Sequence, residues 1–272
     1  MSSIADLIKT ATQSISRLDA ELLLAHILEQ PRSFLFAHAD DEVSDEVASA
    51  FASLSARRAR LEPLAYIVGK KSCWSRDWLV TSDTLIPRPE TEVLIEFVLT
   101  HFQQDSFRVA DLGTGSGVIA VTLAEERPHW EVVATDISEE ALMVAKQNAA
   151  LAQINQIAFY QGDWCQALPS KDFDMIVSNP PYIAESEWKD YARGLQFEPR
   201  QALVSGADGL QAIQMIGSAA FSYLKSGGYL VLEHGFLQGE AVRAILASFK
   251  YQDITTLCDL EQRERVTYAR FF

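Results

Sequence analysis

Phe173-Asp174-Met175-Ile176-Val177-Ser178-Asn179-Pro180-Pro181-Tyr182 is the stretch that decides the architecture. Its opening run, apolar apart from one acid, has the character of a strand buried on both faces of a parallel sheet. Two consecutive prolines then stop the strand, because neither has an N–H to give the ladder. The chain must leave the sheet at Asn179 and present a stiff loop at the carboxyl edge, where open α/β sheets bind ligands. Each proline keeps its carbonyl, and the Asn179 side chain adds a further acceptor. A planar NH₂ group can be gripped by two such acceptors while the Tyr182 ring covers one face. That suits a reaction on an amide or exocyclic amine nitrogen, although Asn-Pro-Pro by itself also serves simply to punctuate a turn.

On either side of this stretch strands alternate with helices. The pattern predicts strands over 107–112, 131–136, 157–161, 173–178 and 229–233, with two more over 253–258 and 266–271. Helices are expected over 118–126, 138–152, about 210–224 (stopped by Ser226-Gly227-Gly228) and 238–249. Ser138 is placed to cap the second of these. Such alternation implies a doubly wound α/β fold with a parallel sheet.

The N-terminal part reads differently. Residues 1–71 are expected to form a small helical domain that docks a partner or merely stabilises the fold, with Leu18, Leu22, Ala25, Ile27 and Leu28 on the inner side of a helix closed by Pro31. Ser44-Asp45-Glu46 offers a cap with acids in the first turn of the next helix. Residues 72–88 read as a β-hairpin and hinge linker, in which Trp74, Trp78, Val80 and Leu85 alternate with polar residues. From residue 89 the larger domain runs to 272. At its start, Pro89-Glu90 can open a helix, and Arg88 and Glu90 are placed either to reach a ligand or to act as a hinge.

Asp111-Leu112-Gly113-Thr114-Gly115-Ser116-Gly117 lies between the first strand of that domain and its helix, where glycines permit a tight turn and close approach to a ligand. The dinucleotide fingerprint calls for glycine or alanine at the next position, which is Val118, and no Gly-Lys-Ser/Thr follows as in a phosphate-binding Walker loop. A cofactor without a pyrophosphate fits better than NAD. Asp136 ends the second strand, nineteen residues beyond the last glycine of the loop, where a carboxylate can take both ribose hydroxyls. Asp163-Trp164 follows the third strand and can hold an adenine by its edge and face. Loop, Asp136, Asp163-Trp164 and the proline turn occupy four successive strand ends and together point to S-adenosyl-L-methionine.

The 272 residues, 48% of them hydrophobic, allow a sizeable core. A formal net charge of −14 opposes binding to duplex nucleic acid, and Arg57-Arg58-Ala59-Arg60 reads as a solvated helix face. The three cysteines, Cys73, Cys165 and Cys258, form no metal or redox motif, consistent with a cytoplasmic protein that uses no metal. No signal peptide or apolar run long enough to span a membrane is read in the chain. His26, His38, His101 and His129 show no ligand spacing, and His234 is read as a structural histidine.

With these residues in hand, the chain resembles the PrmC/HemK family, the protein-(glutamine-N5) methyltransferases of peptide chain release factors, within the class I methyltransferases. The resemblance rests on Leu85-Ile86-Pro87-Arg88-Pro89-Glu90-Thr91-Glu92, the glycine loop, Asn179-Pro180-Pro181-Tyr182-Ile183, Phe197-Glu198-Pro199 and Leu232-Glu233-His234-Gly235. It implies a Rossmann-like, seven-stranded, mostly parallel sheet whose last strand is antiparallel. It implies S-adenosyl-L-methionine as cofactor, with S-adenosyl-L-homocysteine as product, and Asp111, Gly113, Thr114, Gly115, Ser116, Gly117, Asp136, Asp163, Trp164 and Asn179 around it. The substrate implied is the glutamine of the Gly-Gly-Gln loop of class 1 release factors, handled by Asn179, Pro180 and Tyr182. Pro181, Arg88, Glu90 and Glu198 would line its approach, and the enzyme is expected to be a monomer. The competing reading is an adenine-N6 methyltransferase acting on DNA or RNA, which uses the same turn on a flipped base.

Overall fold

The computed structural model describes residues 2–272. Its backbone contacts separate two compact units, Met1–Lys70 and Lys71–Phe272. The first unit consists of α1 (Ile4–Ala11), α2 (Arg17–Ile27), α3 (Arg32–Ala37), α4 (Asp45–Ala59) and α5 (Leu64–Val68). Ser3, Ser16 and Ser44 cap α1, α2 and α4 by accepting the N–H of Asp6, Asp19 and Val47, and each of these helices has an acid in its first turn. The expected inner face of α2 is corrected in part: Ala25 is buried and Ile27 and Leu28 pack against the same core, but Leu18 is 50% exposed, and Ala20, Leu23 and Leu24 are fully buried. The segment Leu18–Ile27 is apolar at so many positions that helical spacing alone selects no single face. Glu21 is also buried, held between Arg17 and Arg32.

The second unit opens on a hairpin, β1 (Lys70–Cys73) and β2 (Arg76–Leu79). Trp74 and Ser75 both take positive φ, 49° and 56°, as a two-residue turn matched to strand twist requires. Trp78 is 1% exposed and donates its indole N–H to the Cys73 carbonyl at 2.9 Å. Beyond it come α6 (Thr91–His101), β3 (Arg108–Leu112), α7 (Val118–Glu126), β4 (Glu131–Asp136), α8 (Glu139–Leu151), β5 (Ala158–Gln161), β6 (Phe173–Ser178) and α9 (Trp188–Leu195). They are followed by α10 (Gln211–Ala220), β7 (Leu224–Glu233), α11 (Gly239–Ser248), β8 (Gln252–Cys258) and β9 (Glu264–Arg270).

Seven strands form one sheet in the order β5-β4-β3-β6-β7-β9-β8, with the last strand, β9, antiparallel to both its neighbours. The expected class I methyltransferase architecture is therefore the one observed. Successive residues of the central strands go to opposite faces, and both faces are covered. Val109, Met175 and Val177 join the core that includes α6 and α7, whereas Ala110 and Ile176 join the one under α10 and α11. This is why β6 is apolar without alternation.

The helix expected to continue to Leu224 stops at Ala220, and the strand expected from Tyr229 begins at Leu224. Ser226-Gly227-Gly228 lies inside β7. The pairing with β6 jumps there from Phe173↔Leu224 to Met175↔Tyr229, so the glycines make an irregularity within the strand and not a helix terminus.

Candidate active site

The register brings the strand ends into line. Leu112 lies opposite Thr135 on one side and Ser178 on the other, while Asp136 lies opposite Gln161. Gly113, Asp136 and Asn179 therefore emerge from one edge of the sheet, where the strand order reverses between β3 and β6. The Ser178 hydroxyl donates to the Leu112 carbonyl at 2.6 Å and pins the two central strand ends together. A cavity of about 390 Å³ opens at this edge, within the range of small-molecule sites.

Of the residues singled out from sequence, Gly113, Thr114, Gly115, Ser116, Asp136, Asp163, Trp164, Asn179, Pro181 and Arg88 line the cavity. Gly113 has φ of +70°, and a Cβ there would stand 3.1 Å from the Trp164 ring. The indole thus lies close against the glycine backbone, and a side chain there would crowd the ring as well as strain the positive φ. Asp136 accepts the Gly115 N–H at 2.9 Å and the Ser138 N–H at 3.0 Å. Burial raises its pKa, and these two amides oppose the rise by favouring the carboxylate.

Asp111 does not line the cavity. It is fully buried beneath the loop, where one oxygen accepts the Thr114 hydroxyl at 2.6 Å and the Ala120 N–H at 3.2 Å. Burial pushes its carboxyl up to about 7. Gly117 lies at the start of α7, packed against Ala145 of α8. Both shape the loop from behind.

The proline turn divides similarly. Asn179 and Pro181 reach the cavity, whereas Pro180 is buried and neither it nor Tyr182 is part of the lining. The Asn179 amide donates from Nδ2 to Thr91 Oγ1 at 3.1 Å. Its Oδ1 is buried and has no hydrogen-bond partner among the described residues. Leaving such an acceptor unpaired costs about 1–3 kcal/mol. Burial pushes the Tyr182 phenol up, and the nearby Glu233 charge adds to the effect.

Arg88 and Glu198 are turned towards each other. Glu198, almost fully buried, accepts from the Arg88 guanidinium and from the Ile86 N–H at 3.1 Å. The pair ties the 85–90 segment to the segment around Pro199. Glu90 instead faces Arg265 at 3.4 Å, and Arg265 also pairs with Asp259 at 3.0 Å. His234 has both ring nitrogens engaged, with Thr267 Oγ1 at 2.8 Å and the Gly235 carbonyl at 3.0 Å, as a structural histidine would.

Two important residues, quoted only within the stretches that carry the resemblance, are given no role of their own by the sequence. Thr91 holds Asn179. Glu233, at the end of β7, is 1% exposed and neither carboxyl oxygen has a partner among the described residues. Burial pushes its carboxyl up to about 7 and the Glu90 charge adds to this, while Thr91, Arg265 and Asn179 favour the carboxylate. The strand-end reasoning that found Asp136 would have found Glu233 had it been carried one strand further. More of the cavity wall comes from Pro199, quoted only within a stretch that carries the resemblance, and from Val204 and Met215, which carry no sequence signal.

Residues 2–69 match the PrmC N-terminal domain and residues 90–210 the methyltransferase small domain. A release factor glutamine methyltransferase of Xylella fastidiosa is 46% identical over 99% of this chain and 98% of its own length. One of Coxiella burnetii is 44% identical over 97% of this chain and 98% of its own. Among solved structures, a methyltransferase from Pyrococcus furiosus is similar in fold, with a TM-score of 0.54 and 18% identity over 79% of this chain and 98% of that one.

Proposed function

We infer the reaction from one premise: this chain belongs to the family of release factor glutamine methyltransferases. It is a methyltransferase, and its substrate is a glutamine of a peptide chain release factor. We further propose that the methyl group goes to the side-chain nitrogen, N5, of the glutamine in the Gly-Gly-Gln loop of class 1 release factors, and that S-adenosyl-L-methionine is the donor. The alternative of adenine-N6 methylation on DNA or RNA gains nothing from these relatives.

The residues at the sheet edge fit this donor. Its ribose hydroxyls would be taken by Asp136, whose oxygens remain able to accept further hydrogen bonds. Trp164 lines the cavity, where its ring can take a purine face, a contact worth about 1–3 kcal/mol by analogy with stacked bases. S-adenosyl-L-methionine supplies an electrophilic methyl group and leaves as S-adenosyl-L-homocysteine.

The protein's own task is to make a poor nucleophile react. An amide lone pair is delocalised into its carbonyl and must be aimed at the methyl carbon. Asn179 Oδ1 and the Pro180 carbonyl accept the two amide hydrogens and fix the plane of the NH₂ group. As positive charge develops on nitrogen these contacts strengthen, which favours the transition state over the bound substrate. The proton is lost readily from a methylated amide cation, so no strong base is needed. Pro181, Tyr182, and the ion-paired Arg88 and Glu198 shape the channel for the glutamine side chain. Residues 1–71 dock the release factor, and residues 89–272 carry the chemistry. The enzyme acts in the cytoplasm as a monomer, without direct contact to nucleic acid. Among the described residues no helix is long and apolar enough to cross a membrane.

The observation that carries this reading is the unpaired, buried Oδ1 of Asn179, clamped by Thr91 at the sheet edge. Incubation with methyl-labelled cofactor and purified release factor, followed by mass spectrometry, tests it. The label is expected on the Gly-Gly-Gln glutamine; label elsewhere, or none, would refute it.

A further inference from the structure

The proline turn has little means of holding itself. Pro180 and Pro181 have no N–H, so the two residues at its centre can donate no hydrogen bond. Its orientation must be set from the flanks. On the strand side Ser178 and Asn179 are tied to Leu112 and Thr91. On the far side Ile183 pairs through its N–H with the Leu203 carbonyl at 2.8 Å and through its carbonyl with the Ser205 N–H at 3.0 Å. The Tyr182 carbonyl belongs to the same peptide as the Ile183 N–H and points to its other side, where a second bond would fix the rotation of that plane.

Gln238 supplies it. Its Nε2 donates to the Tyr182 carbonyl at 2.9 Å, and its Oε1 accepts the Gly235 N–H at 2.9 Å. The two bonds fix the amide in one orientation, since reversing it would set NH₂ against N–H and oxygen against carbonyl. The Gln238 backbone is fixed as well: its N–H goes to the Gly235 carbonyl and its carbonyl accepts from Val242, both at 2.9 Å. Residue 238 immediately precedes α11, so a rigid element aims the side chain. The space it crosses is kept clear by Gly209, which has φ of +78°. A Cβ there would clash with the Tyr182 carbonyl oxygen and lie 2.7 Å from Gln238 Nε2. Nothing in the reaction itself calls for a glutamine here, and Gln238 does not line the cavity.

We propose that Gln238 is a positioning residue for methyl transfer: by bridging the Gly235 N–H and the Tyr182 carbonyl, it holds the proline turn in the orientation that grips the substrate amide. The inference rests on the turn acting as proposed above. Misplacement of reacting groups by about 1 Å costs up to ~10²-fold in rate, whereas cofactor contacts lie on other strand ends and should be untouched.

The test compares wild type with Gln238→Met and Gln238→Glu in release-factor methylation, with cofactor affinity by calorimetry and unfolding temperature measured alongside. Methionine keeps the shape and has no donor; glutamate has a donor only when protonated. Both variants are expected to lose turnover about tenfold to a hundredfold at alkaline pH, with cofactor Kd within about twofold of wild type. As pH falls, the ratio of Gln238→Glu to wild type should climb, because its carboxyl regains a proton for the Tyr182 carbonyl, while the ratio for Gln238→Met stays flat. Wild-type turnover in Gln238→Met, identical pH dependence of the two variants, or a parallel loss of cofactor affinity and unfolding temperature would overturn the inference. Failure of the underlying reading would show separately, as absence of methylation by the wild type.

Discussion

Thr91 Oγ1 takes one hydrogen of the Asn179 side-chain amide at 3.1 Å, and the oxygen of that amide is left buried without a hydrogen-bond partner among the described residues. Thr91 begins α6 and Asn179 follows β6, so the contact exists only in the folded domain. It sets which end of the amide faces Thr91. On the proposed mechanism the other end, an acceptor, is the one that would capture a substrate N–H.

Replacing Thr91 by valine keeps the shape and removes the acceptor for Asn179 Nδ2. The amide then has less reason to keep its oxygen free. A typical hydrogen bond contributes about 0.5–1.5 kcal/mol, so methyl transfer should fall up to about tenfold with cofactor Kd unchanged. Steady-state kinetics with release factor, paired with calorimetric binding of the cofactor, would check this; an unchanged kcat would remove Thr91 from the mechanism.

Asp136 has a separate role. Asp136→Asn exchanges a carboxylate that receives two backbone N–H groups for an amide with a single acceptor oxygen. Hydrogen bonds to a charged group contribute about 1.5–3 kcal/mol, so the Kd for S-adenosyl-L-methionine should rise about tenfold or more. Calorimetry measures it directly. A Kd unchanged by this substitution would place the ribose elsewhere.

Glu233 makes stability depend on pH. Burial pushes its carboxyl from the ordinary 4.5 to about 7, so the folded chain holds this proton more tightly than the unfolded one. Its contribution is complete below about 4.5 and is lost as pH rises through about 7. Asp111, also pushed up to about 7 by burial, adds to the same trend. The unfolding temperature of Glu233→Gln should therefore fall less than that of wild type between about pH 5 and about pH 8. Thermal melts across that range decide it, and an equal fall in both proteins would show that Glu233 is not a buried titrating group.

Much of this site is legible in the chain because strand ends announce themselves. Pro180-Pro181 must end a strand, the glycines must make a turn, and Asp136 lies at a position fixed by the length of one helix and one strand. What the sequence hides is pairing across long separations. Arg88 and Glu198 both read as ligands, yet they find each other across 110 residues. Thr91 looks like an ordinary helix start until β6 brings Asn179 to it. The inner face of α2 is only partly legible, with Ala25 but not Leu18 on it, since a helix apolar on most sides shows no single stripe. Ser226-Gly227-Gly228 misled because glycine pairs end helices and interrupt strands alike, and only the pairing with β6 distinguishes the two.

The most direct measurement is the single-turnover rate of methyl transfer to release factor by Asn179→Ala, with cofactor affinity determined on the same preparation. If Asn179 Oδ1 grips the amide, cofactor binding should survive while the rate falls about 10²–10³-fold, as when one charge-stabilising contact is removed from a transition state. A rate near that of wild type would contradict the assignment of the proline turn as the group that holds the reacting nitrogen.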